Sequence, residues 1–159
     1  MSVQVRPAEE SDIRAMAALR AHERETEAFW QTSIRRYLSG ERSPRQALLP
    51  RAAFVAEDKG VVMGFVACHR TTRYGCSGEL QWINVAPEYR GCGVAGKLLK
   101  KMASWFVEQD SLRVCVDVDP QNSAARALYR KHGAQPLKEH WMVWKDIRSI
   151  LSAGENPDE

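Results

Sequence analysis

Hydrophobic positions recur with a helical spacing in four segments of the chain. Trp30, Ile34 and Tyr37 follow the i, i+4, i+7 stripe of an amphipathic helix, and Gly40 is positioned to end that helix. Three more helices are predicted on the same grounds, one after Ser11-Asp12, one over residues 94–107 and one over residues 123–131.

Short apolar runs between turn residues predict the strands. Residues 54–56 and 61–68 flank the turn Asp58-Lys59-Gly60, which is the pattern of a hairpin. The other predicted strands are residues 3–6, 79–85, 113–118 and 140–144.

One strand–helix–strand succession sets the expected topology. Strand 79–85 is followed by helix 94–107 and then by strand 113–118, a near-continuous apolar run of the kind that is buried on both faces. Strands joined by such a crossover run parallel, and the unit is normally right-handed. The chain is therefore predicted to have an α/β (α+β) fold, with a mixed, mostly antiparallel sheet flanked by helices.

Composition narrows the class of protein. The chain has 159 residues, 44% of them hydrophobic, which suits one domain; we assign it to residues 1–148 and expect a disordered tail over residues 149–159. We find no signal-peptide layout and no apolar run that could span a bilayer, so a cytoplasmic protein without a membrane partner is expected. A net charge of +3 with scattered basic residues argues weakly for an anionic ligand and weakly against nucleic acid.

The cysteines indicate neither disulfides nor a metal site. Cys68, Cys76, Cys92 and Cys115 form no C-x-x-C pair and have no histidine at zinc-ligand spacing. Free thiols and no bound metal are therefore expected.

The most informative segment is a glycine-rich loop, Arg90-Gly91-Cys92-Gly93-Val94-Ala95-Gly96-Lys97, between a predicted strand and a predicted helix. Backbone N–H groups at the positive end of a helix suit a phosphate. A Walker A loop would need Ser or Thr where Leu98 stands. A dinucleotide fingerprint over residues 91–96, with Asp117 for a ribose hydroxyl, would leave 63 residues, too few for a doubly wound sheet.

The same loop resembles the acyl-CoA loop of the GNAT superfamily of N-acetyltransferases. Arg90, Gly93 and Ala95 match the pattern Arg/Gln-x-x-Gly-x-Gly/Ala, after the lead-in Val85-Ala86-Pro87-Glu88-Tyr89. A second motif follows about 30 residues later, Asn-x-x-Ala-x-x-x-Tyr-x-x-x-Gly, matched by Asn122, Ala125, Tyr129 and Gly133.

The resemblance covers most of the chain. The opening residues 5–13 are also similar to a typical GNAT start, so the likeness extends over about residues 3–145. Ala134 departs from the pattern, because the superfamily usually has Phe there; that residue normally packs, so the change concerns the core rather than the chemistry.

The resemblance implies an acetyl-CoA-dependent acyltransferase whose sheet splays at a central parallel strand pair to admit pantetheine. The backbone of residues 90–95 would cradle the pyrophosphate, with glycines permitting close approach. Arg90 would add charge, or lie in solvent. Asn84 and Val85 would face the cofactor with free backbone groups, the expected donors to the oxyanion.

Asn122 and Tyr129 lie seven residues apart on one helix face, about 10 Å along the helix axis. The resemblance gives Asn122 a contact with the pantetheine arm and Tyr129 the role of hydrogen-bonding or protonating the leaving thiolate. A phenol with a pKa of about 10 can serve a thiol with a pKa of about 8.5. The alternatives are a helix-capping asparagine and a core tyrosine.

Glu79 is the general-base candidate, because several GNAT enzymes carry a catalytic Glu at this place, six residues before Val85. Its alternative role is a strand-edge carboxylate in water. His69 is a weaker candidate for the base. Cys92 is a weaker candidate for a covalent nucleophile, since no histidine–acid pair accompanies it.

The acceptor is expected to be a small-molecule or peptide amine that attacks directly in a ternary complex. In the superfamily the first two helices and the last strands usually set specificity, which here are residues 22–27 with three Glu, Phe29-Trp30 and His140-Trp141-Met142. The alternative for the acidic stretch is a solvated helix start. A homodimer is left open, and the competing function is a non-catalytic acyl-CoA-binding sensor or partner module.

Overall fold

One sheet of seven strands organises residues 1–152, the part of the chain that the computed structural model describes. The strands are β1 (Gln4–Pro7), β2 (Ala47–Asp58), β3 (Val61–Thr71), β4 (Gly78–Val85), β5 (Val114–Asp117), β6 (Gln135–Lys138) and β7 (Trp141–Trp144). The helices are α1 (Ile13–Ala21), α2 (Glu27–Ser39), α3 (Val94–Glu108), α4 (Ser123–Lys131) and α5 (Arg148–Ser152). Across the sheet the strand order is β1-β2-β3-β4-β5-β7-β6.

The two faces of the sheet pack against different helices. α3 packs on one face, where Leu98, Met102 and Phe106 are fully buried in the larger core cluster. α1 and α2 cover the other face, where Met16 and Ile34 are buried. Each fully buried side chain of this size contributes about 1.5–3 kcal/mol to folding, so both helical layers stabilise the sheet.

The helices α2 and α4 match their predictions closely, and each begins at a capping side chain. The Thr26 hydroxyl accepts a hydrogen bond of 3.1 Å from the Phe29 N–H at the start of α2. Gly40 ends that helix in the left-handed region, with a φ of 85°. α4 covers the predicted residues 123–131.

Two strands differ from the prediction. β2 begins at Ala47, whereas the sequence pattern predicts only residues 54–56, because Pro50 interrupts the apolar run. The strand accommodates Pro50 through a register shift between Leu48 and Arg51 opposite β3. β6 is not predicted at all; it is a short edge strand with mostly exposed side chains, paired with β7, and so lacks an apolar pattern.

The parallel strands β4 and β5 separate after three paired positions, the last of which joins Leu80 to Val116. Beyond Leu80, β4 continues to Val85 with only β3 as a strand neighbour among residues 1–152. The other strand pairs are antiparallel. The expected mixed sheet with a splayed central pair is thus confirmed, and the doubly wound sheet of a dinucleotide-binding fold is not formed.

The described chain ends in α5, which buries Ile150 against the larger core cluster. Of the tail expected over residues 149–159, residues 149–152 belong to this helix and residues 153–159 lie outside the described residues. Across residues 1–152 we find no helix with the length and apolar character needed to cross a membrane.

Candidate functional site

The separation of β4 from β5 opens a cavity of about 550 Å³, which we call the central cavity. Its walls come from β4, β5 and α4, and from the α1–α2 region and the start of β7. The side chains that bear on chemistry are Glu79, Trp82, Asp117, Asn122, Tyr129 and Trp141. The fold thus brings together Glu79 and Tyr129, which are 50 residues apart in the sequence.

The glycine-rich loop borders a second cavity of about 210 Å³, the loop cavity. Gly91 and Gly93 both have a φ of 78°, a conformation that other residues adopt only with strain. Gly93 is the N-cap of α3, and no side chain within residues 1–152 caps that helix. The N–H groups of its first turn are therefore available to an anion, so the loop fits the pyrophosphate of acetyl-CoA.

The remaining loop residues contribute in different ways. Val94 lines the loop cavity and is otherwise buried in the larger core cluster. Cys92 is exposed, with its Sγ 3.9 Å from the Arg90 carbonyl oxygen. The Arg90 Nε donates a long hydrogen bond of 3.4 Å to the carbonyl of Val85, which also lines the loop cavity. Lys131 of α4 lines the loop cavity too and adds positive charge, although sequence reasoning missed it.

Asn84 directs its side chain toward α1. Its Oδ1 accepts a hydrogen bond of 3.1 Å from Arg20, and its Nδ2 donates one of 3.3 Å to Glu23. The side chain is buried and is absent from the walls of both cavities. Asn84 stands opposite Phe65, two residues before the Ala86 N–H that donates to the Met63 carbonyl, so its own N–H faces β3. The predicted free backbone group of Asn84 is therefore not found, whereas the N–H of Val85 faces away from β3.

Tyr129 is buried in α4 and contacts the central cavity. Its ring packs edge-on against Trp144, with ring centroids 5.7 Å apart. Burial raises the pKa of the phenol well above its ordinary value, and the nearby Glu23 acts in the same direction. The hydroxyl consequently keeps its proton at neutral pH and is equipped to donate a hydrogen bond.

Asn122 caps α4. Its Oδ1 accepts a hydrogen bond of 3.1 Å from the Ala125 N–H, and the residue also lines the central cavity. The capping role that we considered as the alternative is therefore present. Capping uses the side-chain oxygen, so a contact of the amide nitrogen with a ligand is compatible with it.

Glu79 is not a solvated strand-edge carboxylate, and that alternative is wrong. It lies on β4 between β3 and β5, and only 4% of the residue is exposed. One carboxylate oxygen accepts a hydrogen bond of 3.0 Å from the Nε of Arg73. The other lies 3.7 Å from the Nε2 of His69, whose Nδ1 is hydrogen-bonded to the Tyr37 hydroxyl at 2.8 Å.

Access to the central cavity distinguishes the two candidates for the general base. His69 is fully buried behind Glu79 and does not border the central cavity, whereas Glu79 does. Sequence reasoning missed Arg73, because it lies in a loop between β3 and β4 and belongs to no motif. Only the folded chain brings it to Glu79.

Only some of the residues predicted to bind the acceptor line the central cavity. Glu23, Trp30 and Trp141 line the central cavity. Phe29 is 42% exposed and, like the acidic Glu25, does not line that cavity. The acidic stretch therefore contributes one carboxylate, not three, to the central cavity.

The thiols are free in the described chain, with three buried and Cys92 exposed. Within residues 1–152 no group of three or more His, Cys, Asp or Glu side chains is arranged to hold a metal ion.

Comparison with known sequences identifies the family. The sequence model of the Acetyltransferase (GNAT) family matches residues 15–134, so the chain belongs to that family. Thialysine N-epsilon-acetyltransferase of Bos taurus is 38% identical over 60 residues, which cover 38% of this chain and 35% of that protein. The matched segments of the curated relatives span from 26% to 57% of those proteins' own lengths.

Solved structures agree with this fold. The PaiA N-acetyltransferase of Thermoplasma acidophilum, solved in complex with coenzyme A, aligns with a TM-score of 0.67 at 17% identity, covering 92% of this chain and 99% of that chain. Spermidine N-acetyltransferase SpeG of Vibrio cholerae aligns with a TM-score of 0.68 at 19% identity, covering 96% of this chain and 98% of that chain. At these identities the likeness establishes the fold.

Proposed function

We propose that this protein is an N-acetyltransferase that uses acetyl-CoA to acetylate a primary amine by direct attack in a ternary complex. The observation that carries the proposal is that Glu79 and Tyr129, from different elements, line one cavity where β4 and β5 diverge. Acyl transfer to an amine needs a proton acceptor for the amine and a proton donor for the leaving group. Membership of the GNAT family supports the same chemistry.

The binding roles follow from the backbone of the loop and of β4. When bound, acetyl-CoA supplies an activated acetyl thioester. Residues 90–95 hold its pyrophosphate through N–H groups at the start of α3, and Arg90 adds positive charge. Asn122 contacts the pantetheine arm with its amide nitrogen. The backbone N–H of Val85, which faces away from β3, stabilises the negative charge that develops on the carbonyl oxygen.

Glu79 and Tyr129 serve as the general base and the general acid of the reaction. An amine with a pKa of about 10 is protonated at neutral pH, so it must lose a proton before it attacks. Glu79 takes that proton, directly or through water. Tyr129, whose burial keeps its hydroxyl protonated, donates a hydrogen bond or a proton to the thiolate as it leaves.

A second candidate function has one observation in its favour. Glu79 is already ion-paired with Arg73, so the carboxylate has a structural partner and need not act as a base. An acyl-CoA-binding sensor or partner module without transferase activity would use the loop but not this carboxylate. The two functions differ in whether thiol release depends on an amine.

A thermal-shift titration with acetyl-CoA, CoA, NAD, NADP and ATP–magnesium tests the binding step. A ligand at 100 times its dissociation constant stabilises by about 2.7 kcal/mol, which is a shift of about 5–10 °C for a chain of this size. We expect acetyl-CoA and CoA to raise the melting temperature and the other three ligands to leave it unchanged. A second assay should then show release of the CoA thiol that depends on an added amine. A shift with NAD or ATP instead would contradict the proposal.

A further inference from the structure

Arg73 occupies the position at Glu79 that an acceptor ammonium would need. Its Nε lies 3.0 Å from the Glu79 carboxylate, and its guanidinium carbon lies 4.6 Å from the ring centroid of Trp141. The side chains of Arg73 and Glu79 are only 15% and 5% exposed. A carboxylate beside an aromatic face is an arrangement that binds organic cations. We call Glu79 and Trp141 the cation subsite; here an arginine of the chain itself fills it.

The segment that carries Arg73 is a short loop, residues 72–77, between β3 and β4, and it contacts Trp141 of β7. Tyr74 packs edge-on against Trp141 at 5.3 Å between ring centroids, and the Arg73 Nη2 donates a hydrogen bond of 2.9 Å to the Arg45 carbonyl. Tyr74 is 40% exposed and has a left-handed backbone with a φ of 53°. Cys76 of the same loop is buried with Cys115 and Val143, and the Ser77 N–H donates a hydrogen bond of 2.8 Å to the Arg113 carbonyl, so the loop backbone is held in place. The Arg73 side chain takes no part in that anchoring, and rotation about its own bonds would move it outward without breaking a strand pair.

Glu79, in contrast, cannot follow Arg73 outward. It is paired on both sides within the sheet, to His69 on β3 and to Cys115 on β5. A buried carboxylate that loses its counter-ion is costly. If Arg73 leaves, the cation subsite therefore gains affinity for another cation, and it borders the central cavity from which an acceptor would arrive.

We propose that Arg73 is a displaceable counter-ion, which the ammonium group of the acceptor replaces at Glu79 and Trp141 while the Arg73 side chain swings outward. One cation is exchanged for another, and no covalent bond is made or broken in this step. The acceptor class follows from the subsite: a carboxylate beside an aromatic face takes a cationic group carried on a slender chain, and the proposed function makes that group a primary ammonium. The catalytic meaning of the exchange rests on the proposed function, whereas the exchange itself does not require acetyl transfer.

Calorimetric titration of the 159-residue chain with n-butylammonium tests the exchange directly. Arg73→Ala is expected to bind this probe at least about tenfold more tightly than the wild type, because the probe no longer competes with a tethered cation. Adding Glu79→Gln to Arg73→Ala is expected to abolish the gain. The matched control is Arg148→Ala, which removes an arginine that is ion-paired to Asp146 outside the cavity; its affinity should equal that of the wild type. tert-Butylammonium, the branched isomer, should gain little in any variant.

Equal affinity of the wild type and Arg73→Ala for n-butylammonium would overturn the proposal, provided that circular dichroism shows both to be folded. Should Arg73→Ala fail to fold, Arg73→Gln replaces it in the same comparison, because the glutamine keeps part of the stem on Trp141. A tenfold gain in a protein that acetylates no amine would support the exchange and contradict the proposed function. If the wild type acetylates amines but Arg73→Ala does not bind n-butylammonium more tightly, the exchange is contradicted and the proposed function stands.

Discussion

Arg20 of α1 donates a hydrogen bond of 3.1 Å to the side-chain oxygen of Asn84, which ties the first helix to the far end of β4. The same guanidinium lies 4.4 Å from the ring centroid of Trp30 and 3.6 Å from the carboxylate of Glu23. One arginine thus joins α1 and α2 to the strand segment whose backbone is expected at the reacting carbonyl. The position of that segment depends on helices that lie far from it in the sequence.

Arg20→Ala is predicted to lower the free energy of unfolding by about 1–3 kcal/mol, because Asn84 would lose a partner in a buried position. It should also reduce kcat/KM more than tenfold by loosening the end of β4. Urea unfolding and steady-state kinetics measure the two effects. The control is Arg14→Ala, an exposed position on the same helix; if both variants unfold alike, the proposed role of Arg20 is wrong.

Tyr129→Phe is predicted to lower kcat about 100-fold while leaving the affinity for CoA nearly unchanged, because only the proton donor is lost. The ring contact with Trp144 remains, so the melting temperature should change little. Tyr74→Phe, which removes the hydroxyl of a partly exposed tyrosine, serves as the control. A kcat for Tyr129→Phe equal to that of the control would rule out the acid role.

Gly93→Ala is predicted to weaken CoA binding, because the loop needs a left-handed residue at the start of α3. The matched control is Gly40→Ala at the end of α2, since the φ angles of the two glycines are 78° and 85°. Each substitution should cost about 1 kcal/mol of stability through strain, but only Gly93→Ala should raise the dissociation constant for CoA. Equal CoA affinities in the two variants would show that the loop geometry is not used for binding.

The ion pair between Arg6 and Asp12 is predicted to make stability depend on pH. The two side chains approach to 2.7 Å, and the hydrogen bond from Arg6 lowers the pKa of the Asp12 carboxyl below its ordinary value of 3.8. Because the pKa is lower in the folded state, the stabilisation is complete above the unfolded pKa and is lost as the pH falls through the folded pKa.

Asp12→Asn therefore should cost about 1–2 kcal/mol near neutral pH and progressively less in acid. Urea unfolding of both proteins at several pH values gives the difference directly. A difference that stays constant from neutral pH into acid would mean that the carboxylate charge does not contribute.

The parts of the site that the sequence predicts are those that depend on neighbours in the chain. The glycine loop is recognisable because Gly91 and Gly93 carry a backbone requirement within a few residues of a helix start. Asn122 and Tyr129 are recognisable because seven residues of helix bring them to one face. Local geometry of this kind is encoded in short motifs.

Arg73 could not be assigned to the site from the sequence. Its contact with Glu79 depends on how loop 72–77 folds back toward β4 and packs against Trp141, which is distant in the sequence. The same reason explains why the edge strand β6 was missed, since a short exposed strand is defined by its partner and not by its own pattern. The solvated interpretation of Glu79 failed because burial of a strand position depends on which strands lie on either side.

The release of the CoA thiol from acetyl-CoA in the presence and absence of primary amines tests the central claim most directly. We predict thiol release that depends on the amine in the wild type and falls steeply in Tyr129→Phe, while both proteins bind CoA. Binding of acetyl-CoA without amine-dependent release from any of a broad set of primary amines would contradict it and would favour a non-catalytic acyl-CoA-binding protein.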